Sequence, residues 1–460
     1  MTEATQSIYA SLLWLAVSAP AGAAALLGGA GWLGTAVSER AIARTVAVAF
    51  SSATACCAAL LAAWLLGGTE TLTVTWPAWT GLGPVLGSQA LVGDGLSLPF
   101  ALLSTSLVGL IGAFSRRYLH LEPGFHRFYM LLSVFGVGAS LVALAGGLEL
   151  ALVGWELLGI SSALLIAYFN ERPRPVEHGV LAFAHYRICD VGLIVAIVWL
   201  HLHGASGAFA PRADGFAGIV APGSMSVLVL ALAVVWASLA KSAQLPLGSW
   251  LPRAMEGPTP SSAIFYGAVS VHMGAYLLMR AAPVLEREPI ASALVVVIGA
   301  STAVYGTVVG RAQTDIKSVL AYASMSQVGL VFVEIGLGQA QLALLHMLGH
   351  AAVRSLQILR SPSLLHDRHH LEQAMGQQLP RSGGHLERLI PRHLEARLYR
   401  LALERGGLDT VVVDGVAARV VSAVGALHRI DRTVLAWLSG TDQHTQQTAR
   451  ASLASVEDPA

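Results

Sequence analysis

The sequence predicts an all-α polytopic membrane protein of about eleven transmembrane helices, with broken helices among them and an amphipathic helical tail. Three observations carry that expectation. The 460-residue chain is 55% hydrophobic and only 12% charged, against roughly 25% charge in a soluble domain. Apolar windows of about 20 residues, the length that crosses a hydrocarbon core, recur along it. One of them, VLVLALAVVWASLA, ends on Lys241, an ammonium that persists at membrane depth only where protein or water compensates it.

The windows fall at roughly 8–30, 44–66, 96–115, 127–147, 149–169, 180–202, 225–244, 260–281, 290–310, 318–338 and 340–359. The first lacks a basic n-region, since MTEATQS carries only Glu3, so it is expected to remain as a span and not to be cleaved as a signal peptide. Between the second and third, GGTETLTVTWPAWTGLGPVLGSQALVGDGLS alternates short apolar residues with Gly and Pro breaks and reads as a small outside hairpin. Beyond Lys241, Pro246 removes a backbone donor, so that helix is expected to break; Pro260 marks a second expected break. Breaks at membrane depth are tolerated where they line water or pack against protein.

Basic residues crowd alternate loops. Arg40, Arg44, Arg116, Arg117, Arg127, Arg172, Arg174, Arg253, Arg311, Lys317, Arg360 and Arg368 fall on one side, against Arg212, Arg280 and Arg287 on the other. The positive-inside rule then puts the N-terminus outside and the chain after the last span in the cytoplasm. That last part is polar and rich in Arg and His. Within it Val413, Val416, Val420, Val424, Leu427 and Val434 recur at helical spacing, interrupted by Asp414, Arg419, His428 and Arg432, which predicts an amphipathic helix on a membrane or partner. Four segments result: 1–95 with two helices and the hairpin, 96–285, 286–362, and the tail 363–460.

A net charge of +1, with no aromatic-interleaved basic stretch, gives no signal for nucleic acid. Cys56, Cys57 and Cys189 lie in apolar runs without metal spacing and read as small core residues.

The ionisable residues inside spans are Glu156, Arg187, Asp190, Lys241, His272, Glu334, His346, His350 and Arg354. Each must face protein, water or a partner group, and together they outline a polar axis. A desolvated lysine can release its proton under a modest electrostatic change. Glu156 supplies an opposite charge for it, and His272, an imidazole that titrates near neutrality, could receive the proton. Two readings stay open at this point, a proton relay and a fixed buried Glu156–Lys241 ion pair. Arg187 and Asp190, at i,i+3, read most simply as a salt-bridged packing pair. His346, His350 and Arg354 form an i,i+4,i+8 stripe that suits a wet bundle face; with no carboxylate or thiol to complete a ligand set, no metal is expected.

The runs KSAQLPLGSWLPRAMEGPTPSSA and WELLGISSALLIAYF, with AHYRICDVGLI between them, resemble the proton-conducting subunits of respiratory complex I and of multisubunit sodium/proton antiporters over roughly residues 90–360. The resemblance implies that Glu156 and Lys241 are the coupled pair of a proton half-channel in residues 96–285, with 286–362 a partial second repeat. The chain departs from the family in two places. Tyr266 stands where the family has a histidine after G-P-T-P-x-S-A, with His272 about two turns later, and Arg354 replaces the lysine of H-A-x-x-K-S-L. Arginine is effectively always protonated, which suits gating better than carrying the mobile proton.

FYGAVSVHMGAYLLMR together with VRSLQILRSPSLLHD resembles DabB, the membrane subunit type of the DAB inorganic carbon accumulation systems. That resemblance implies a bacterial inner-membrane protein in contact with lipid. Its implied partner is a DabA-like, zinc-containing carbonic-anhydrase-like protein, so that zinc and catalysis belong to the partner and this chain carries no cofactor. Rival expectations are a subunit of a sodium/proton antiporter, membrane-bound hydrogenase or complex I-like NADH dehydrogenase, and a non-conducting scaffold for a cytoplasmic enzyme.

Overall fold

The computed structural model describes residues 3–67, 71–75, 90–209, 225–376 and 391–407, with isolated positions at 419, 422, 426 and 429–431. The chain is a mostly helical, multi-pass membrane protein. Its helices are α1 (Glu3–Trp32), α2 (Glu39–Leu66), α3 (Ser97–Tyr118), α4 (Phe125–Leu144), α5 (Leu148–Ile166), α6 (Pro173–Leu202), α7 (Met225–Lys241), α8 (Thr259–Arg280), α9 (Pro289–Arg311), α10 (Ile316–Gly336), α11 (Ala340–Met375) and α12 (Arg392–Leu403). Among the described residues 10 helices are long and apolar enough to cross a membrane. The eleventh expected span is α7, which stops after 17 residues.

Neighbouring spans approach backbone to backbone. A Cβ on Gly138 of α4 would lie 2.7 Å from the Gly154 carbonyl of α5, and the converse distance is also 2.7 Å; small residues permit this where lipid offers no hydrophobic drive. Two ends of the bundle are tied across the sequence. At one, β1 (Leu72–Thr75) pairs antiparallel with β2 (Ala90–Gly93) as the expected hairpin, and bridges join Leu91 to Ala145 and Gly147 to Ala208. Asp94, just past β2, receives a bidentate Arg280 from the end of α8 at 2.6 and 3.1 Å. Burial draws the Asp94 carboxyl upward, but Arg280 and the Ser97 and Leu96 amides outweigh it and hold it below the usual carboxylate range. At the other end Arg127 donates to Tyr168 O at 2.6 Å, and the Tyr118 and Thr259 hydroxyls meet at 3.2 Å.

The break after α7 closes before Pro246 is reached. Ala243 takes a left-handed φ of 50°, and Gln244 N donates back to Leu239 O at 2.8 Å, a Schellman ending with alanine where glycine is usual. The freed groups are answered from elsewhere: Trp250 Nε1 donates to Ala240 O at 2.9 Å, and Leu245 N to Thr302 Oγ1 at 3.0 Å. Pro260 departs from expectation. It opens α8 from the first turn instead of breaking a helix, a position where its missing N–H costs nothing. The irregularity of α8 comes later, as a π turn over Ala263–Ala268 and a 3₁₀ turn over Ser270–His272.

α11 runs unbroken past residue 362, where the sequence places the start of the tail, and ends at Gly376 in a left-handed cap. From Glu404 the chain forms a separate unit, and the amphipathic stretch expected over 408–440 lies outside the described residues except for isolated helical positions.

Candidate functional site

Lys241 closes α7 with 0% exposure. Its Nζ donates to Trp155 O of α5 at 3.0 Å and stands 4.4 Å from the Tyr186 ring centroid and 5.3 Å from that of Trp155. Two aromatic faces thus supply part of the compensation that water would give the cation. Gly159, one turn beyond Trp155, makes the space: a Cβ there would lie 2.9 Å from Lys241 Nζ and 3.3 Å from Arg187 Nη2.

Glu156 does not form the expected ion pair with Lys241; it pairs with Arg187. Successive residues on α5 are rotated by about 100°, so when the Trp155 backbone serves α7, the Glu156 side chain is carried round to α6. Arg187 bridges two carboxylates, since its Nη2 also lies 2.6 Å from Asp190 Oδ2. Arg187 and Asp190 are therefore more than an isolated packing pair. Asp190 Oδ1 accepts from Trp155 Nε1 at 2.5 Å, so Trp155 holds Asp190 by its indole and Lys241 by its carbonyl. The cluster is graded in depth: Asp190 is 3% exposed, while Arg187 and Glu156 are 35% and 37% exposed beside the exposed Val153, Ile160, Ile188 and Val191.

A second cluster joins α8, α10 and α11. His272 Nε2 and His350 Nδ1 are 2.9 Å apart, and Arg354 Nε donates to His350 Nε2 at 3.4 Å. A guanidinium has no acceptor, so His350 Nε2 is the accepting nitrogen; the neutral ring carries its proton on Nδ1 and donates it to His272. One turn earlier, His346 sits between Glu334 Oε1 at 2.8 Å and Gln327 Oε1 at 2.9 Å. The His346 and His350 ring centroids are 6.5 Å apart. An open cleft lined by Gln327, Leu345, His346, His350, Val353 and Arg354 adjoins them. The predicted stripe on α11 is thus one face of a polar chain, and Glu334 and His272, from other helices, complete it.

Sequence reasoning missed Trp155, Tyr186 and Gln327. Trp155 and Tyr186 stand next to the charges of W-E and Y-R, and a lysine expected at membrane depth needs aromatic or carbonyl partners, so adjacency was the available signal. Gln327 is a lone amide inside an apolar span.

A profile described as "NADH:quinone oxidoreductase/Mrp antiporter, TM" matches residues 145–378, which carry both clusters, and one described as "NADH-Ubiquinone oxidoreductase (complex I), chain 5 N-terminus" matches residues 79–129. The chain belongs to the NADH:quinone oxidoreductase/Mrp antiporter membrane family. This antiporter-like chain is 36% identical over 276 residues to the chloroplastic NAD(P)H-quinone oxidoreductase subunit 5 of Nephroselmis olivacea, a match covering 59% of this chain and 43% of that one. Among solved structures it is similar to a chain of the Mrp complex from Dietzia sp. DQ12-45-1b, with a TM-score of 0.63, 26% identity, and coverage of 77% of this chain and 37% of that one. The archaeal membrane-bound sulfane sulfur reductase shares the fold at a TM-score of 0.62 and 19% identity, over 75% of this chain and 70% of that one. The antiporter-like chain spans less than half the length of the curated relatives it matches.

Proposed function

We propose that this chain is the proton-translocating membrane subunit of an inorganic carbon accumulation complex, coupling proton influx to CO2 hydration by a cytoplasmic, DabA-like zinc protein. The observation that carries the proton part is Lys241, fully buried, held by a carbonyl and aromatic faces, and set between an ion-paired cluster and a histidine chain. Its proton is not locked by a salt bridge. The Glu156–Arg187–Asp190 cluster sets the field at Lys241, and loading or unloading that cluster tilts the lysine toward holding or releasing its proton. His272 and His350 then hand the proton along α8 and α11; because His350 holds Nδ1–H toward His272 while Arg354 donates to its Nε2, it takes the proton only after its ring turns away from Arg354 and presents a free nitrogen to His272. The permanent charge of Arg354 gates the chain and does not travel.

The carbon part rests on the resemblance carried by His272 and by the VRSLQILRSPSLLHD run that contains Arg354. Placement in a bacterial inner membrane rests on the same resemblance, and the N-terminus outside on the loop charges. Purification of the full chain from its native membrane, with mass spectrometry and zinc analysis of what accompanies it, tests this reading. A stoichiometric large zinc protein is expected, together with loss of bicarbonate accumulation in Lys241→Ala at normal complex levels. A zinc-free set of small membrane subunits would overturn it.

One observation favours a second reading, a subunit of a sodium/proton antiporter, membrane-bound hydrogenase or complex I-like assembly. Glu156 and Arg187 are about a third exposed on the flank of α5 and α6, where a charged pair is costly against lipid and is better covered by a neighbouring membrane subunit. Co-purification of such subunits is its signature.

A further inference from the structure

His346 and His350 stand one turn apart on α11, and their ring nitrogens are committed to different partners. His346 Nδ1 lies 2.8 Å from Glu334 Oε1, and its Nε2 lies 2.9 Å from Gln327 Oε1. Glu334 and Gln327 are two turns apart on α10 and so share one face of it; the imidazole of α11 is inserted between them. His350 meets His272 through Nδ1 and Arg354 through Nε2. All four nitrogens are therefore accounted for, and none joins the two rings, although their centroids are only 6.5 Å apart. Both rings border the open cleft, so partners, and not room, distinguish them.

The two contacts of His346 do not depend on its protonation. A carboxylate oxygen accepts from Nδ1–H in the neutral ring or in the imidazolium, and the Gln327 amide presents its oxygen to Nε2–H or, turned over, its NH2 to a bare Nε2. A ring held at both nitrogens has neither a lone pair nor an N–H left with which to pass a proton on. What it does instead is fasten α11 to α10 at the turn that precedes His350. His350 has to turn between Arg354 and His272 to carry a proton, and a turning ring reaches its partner only if its backbone stays in place. A misplacement of about 1 Å can cost on the order of 100-fold in rate.

We propose that Glu334, Gln327 and His346 form a clamp that positions His350 opposite His272, and that His346 does not itself carry protons. This rests on the relay reading above. His346 is a positioning residue, beside the route through His272 and His350 and outside it.

The test is proton flux into vesicles holding the full chain with the subunits that co-purify with it, under an imposed pH gradient and clamped membrane potential, expressed per folded protein. Wild type, His346→Gln, His346→Leu, Gln327→Leu, His350→Gln and Lys241→Ala are compared. His346→Gln keeps an amide able to bond both α10 partners and cannot titrate, so flux and its pH profile are expected to stay close to wild type. His350→Gln is expected to lose about 100-fold, the scale of a lost proton-transfer group. His346→Leu removes both links, and its flux is expected to fall by about tenfold or more, the scale of a misplaced partner. Gln327→Leu removes one of them and carries the same expectation if His346→Leu fails to accumulate. A loss in His346→Gln as deep as in His350→Gln makes His346 a carrier and overturns the clamp. Wild-type flux per folded protein in both His346→Leu and Gln327→Leu, with Lys241→Ala inactive, overturns it as well and leaves the relay standing. Wild-type flux in Lys241→Ala overturns the relay itself.

Discussion

The cluster around Arg187 and the chain around His350 both place ionisable groups inside an apolar bundle, and they differ in how each group is compensated. Around Arg187, charge is answered by charge: Glu156 and Asp190 flank one guanidinium. Around His350 the links run through imidazole nitrogens, with His272 on one side and Arg354 on the other. Ion pairs hold their protons in fixed places, because moving one leaves an uncompensated charge. Imidazoles can take a proton on one nitrogen and release another from the second. In the proposed relay the first region sets a field and the second provides a route, with Lys241 between them and, among the described residues, ion-paired to neither.

That division predicts which variants lose flux and which lose stability. Lys241→Ala removes the proposed carrier, and flux through reconstituted vesicles is expected to drop by on the order of 10³-fold or more. Retained flux would erase the distinction between the regions. Asp94→Asn breaks a charge pair of the first kind and leaves Arg280, whose side chain is 5% exposed, without its carboxylate. It is expected to lower stability by about 3 kcal/mol, read as an earlier thermal transition, with flux per folded protein kept. Its pH dependence has a definite sign. The Asp94 carboxyl is held low in the fold, so its stabilisation is complete above the unfolded value near 4 and is lost as pH falls through the folded value. Wild type and Asp94→Asn should therefore converge in stability on acidification from that point.

His350→Gln keeps a hydrogen-bonding side chain that cannot titrate. It should reduce flux by about 100-fold while leaving the thermal transition near wild type, the reverse of Asp94→Asn. The smallest change is expected from Glu156→Gln. Arg187 keeps Asp190, and a pair this exposed contributes about 1 kcal/mol or less, so flux should fall by less than tenfold. Complete loss in Glu156→Gln would mean that Glu156 carries protons and belongs with the histidines.

The sequence revealed most of the fold because membrane thickness imposes its own ruler: a window of apolar residues is readable without knowing its neighbours. The hairpin pairing Leu72 with Gly93 was readable from alternation and turn residues. Partner choice was not. Spacing along α11 put His346, His350 and Arg354 on one stripe, yet which ring meets His272 depends on how α8 and α11 are rotated against each other. The same limit produced the Glu156–Lys241 expectation, since one step along α5 decides whether a carboxylate or a carbonyl faces α7. Arg280 and Asp94 lie 186 residues apart, beyond any local pattern. Pro260 was misjudged because a proline signals both helix breaks and first turns.

The most direct test of one path through Lys241 and His350 is a flux measurement on Lys241→Arg, His350→Gln and their double variant in vesicles of matched protein content. Arginine keeps the charge but holds its proton, so each single is expected to retain about 1% of wild-type flux, the scale of one lost transfer group. On a single serial path the double stays near the slower single. A double variant about 10⁴-fold below wild type, with the two losses multiplying as for independent sites, would contradict it.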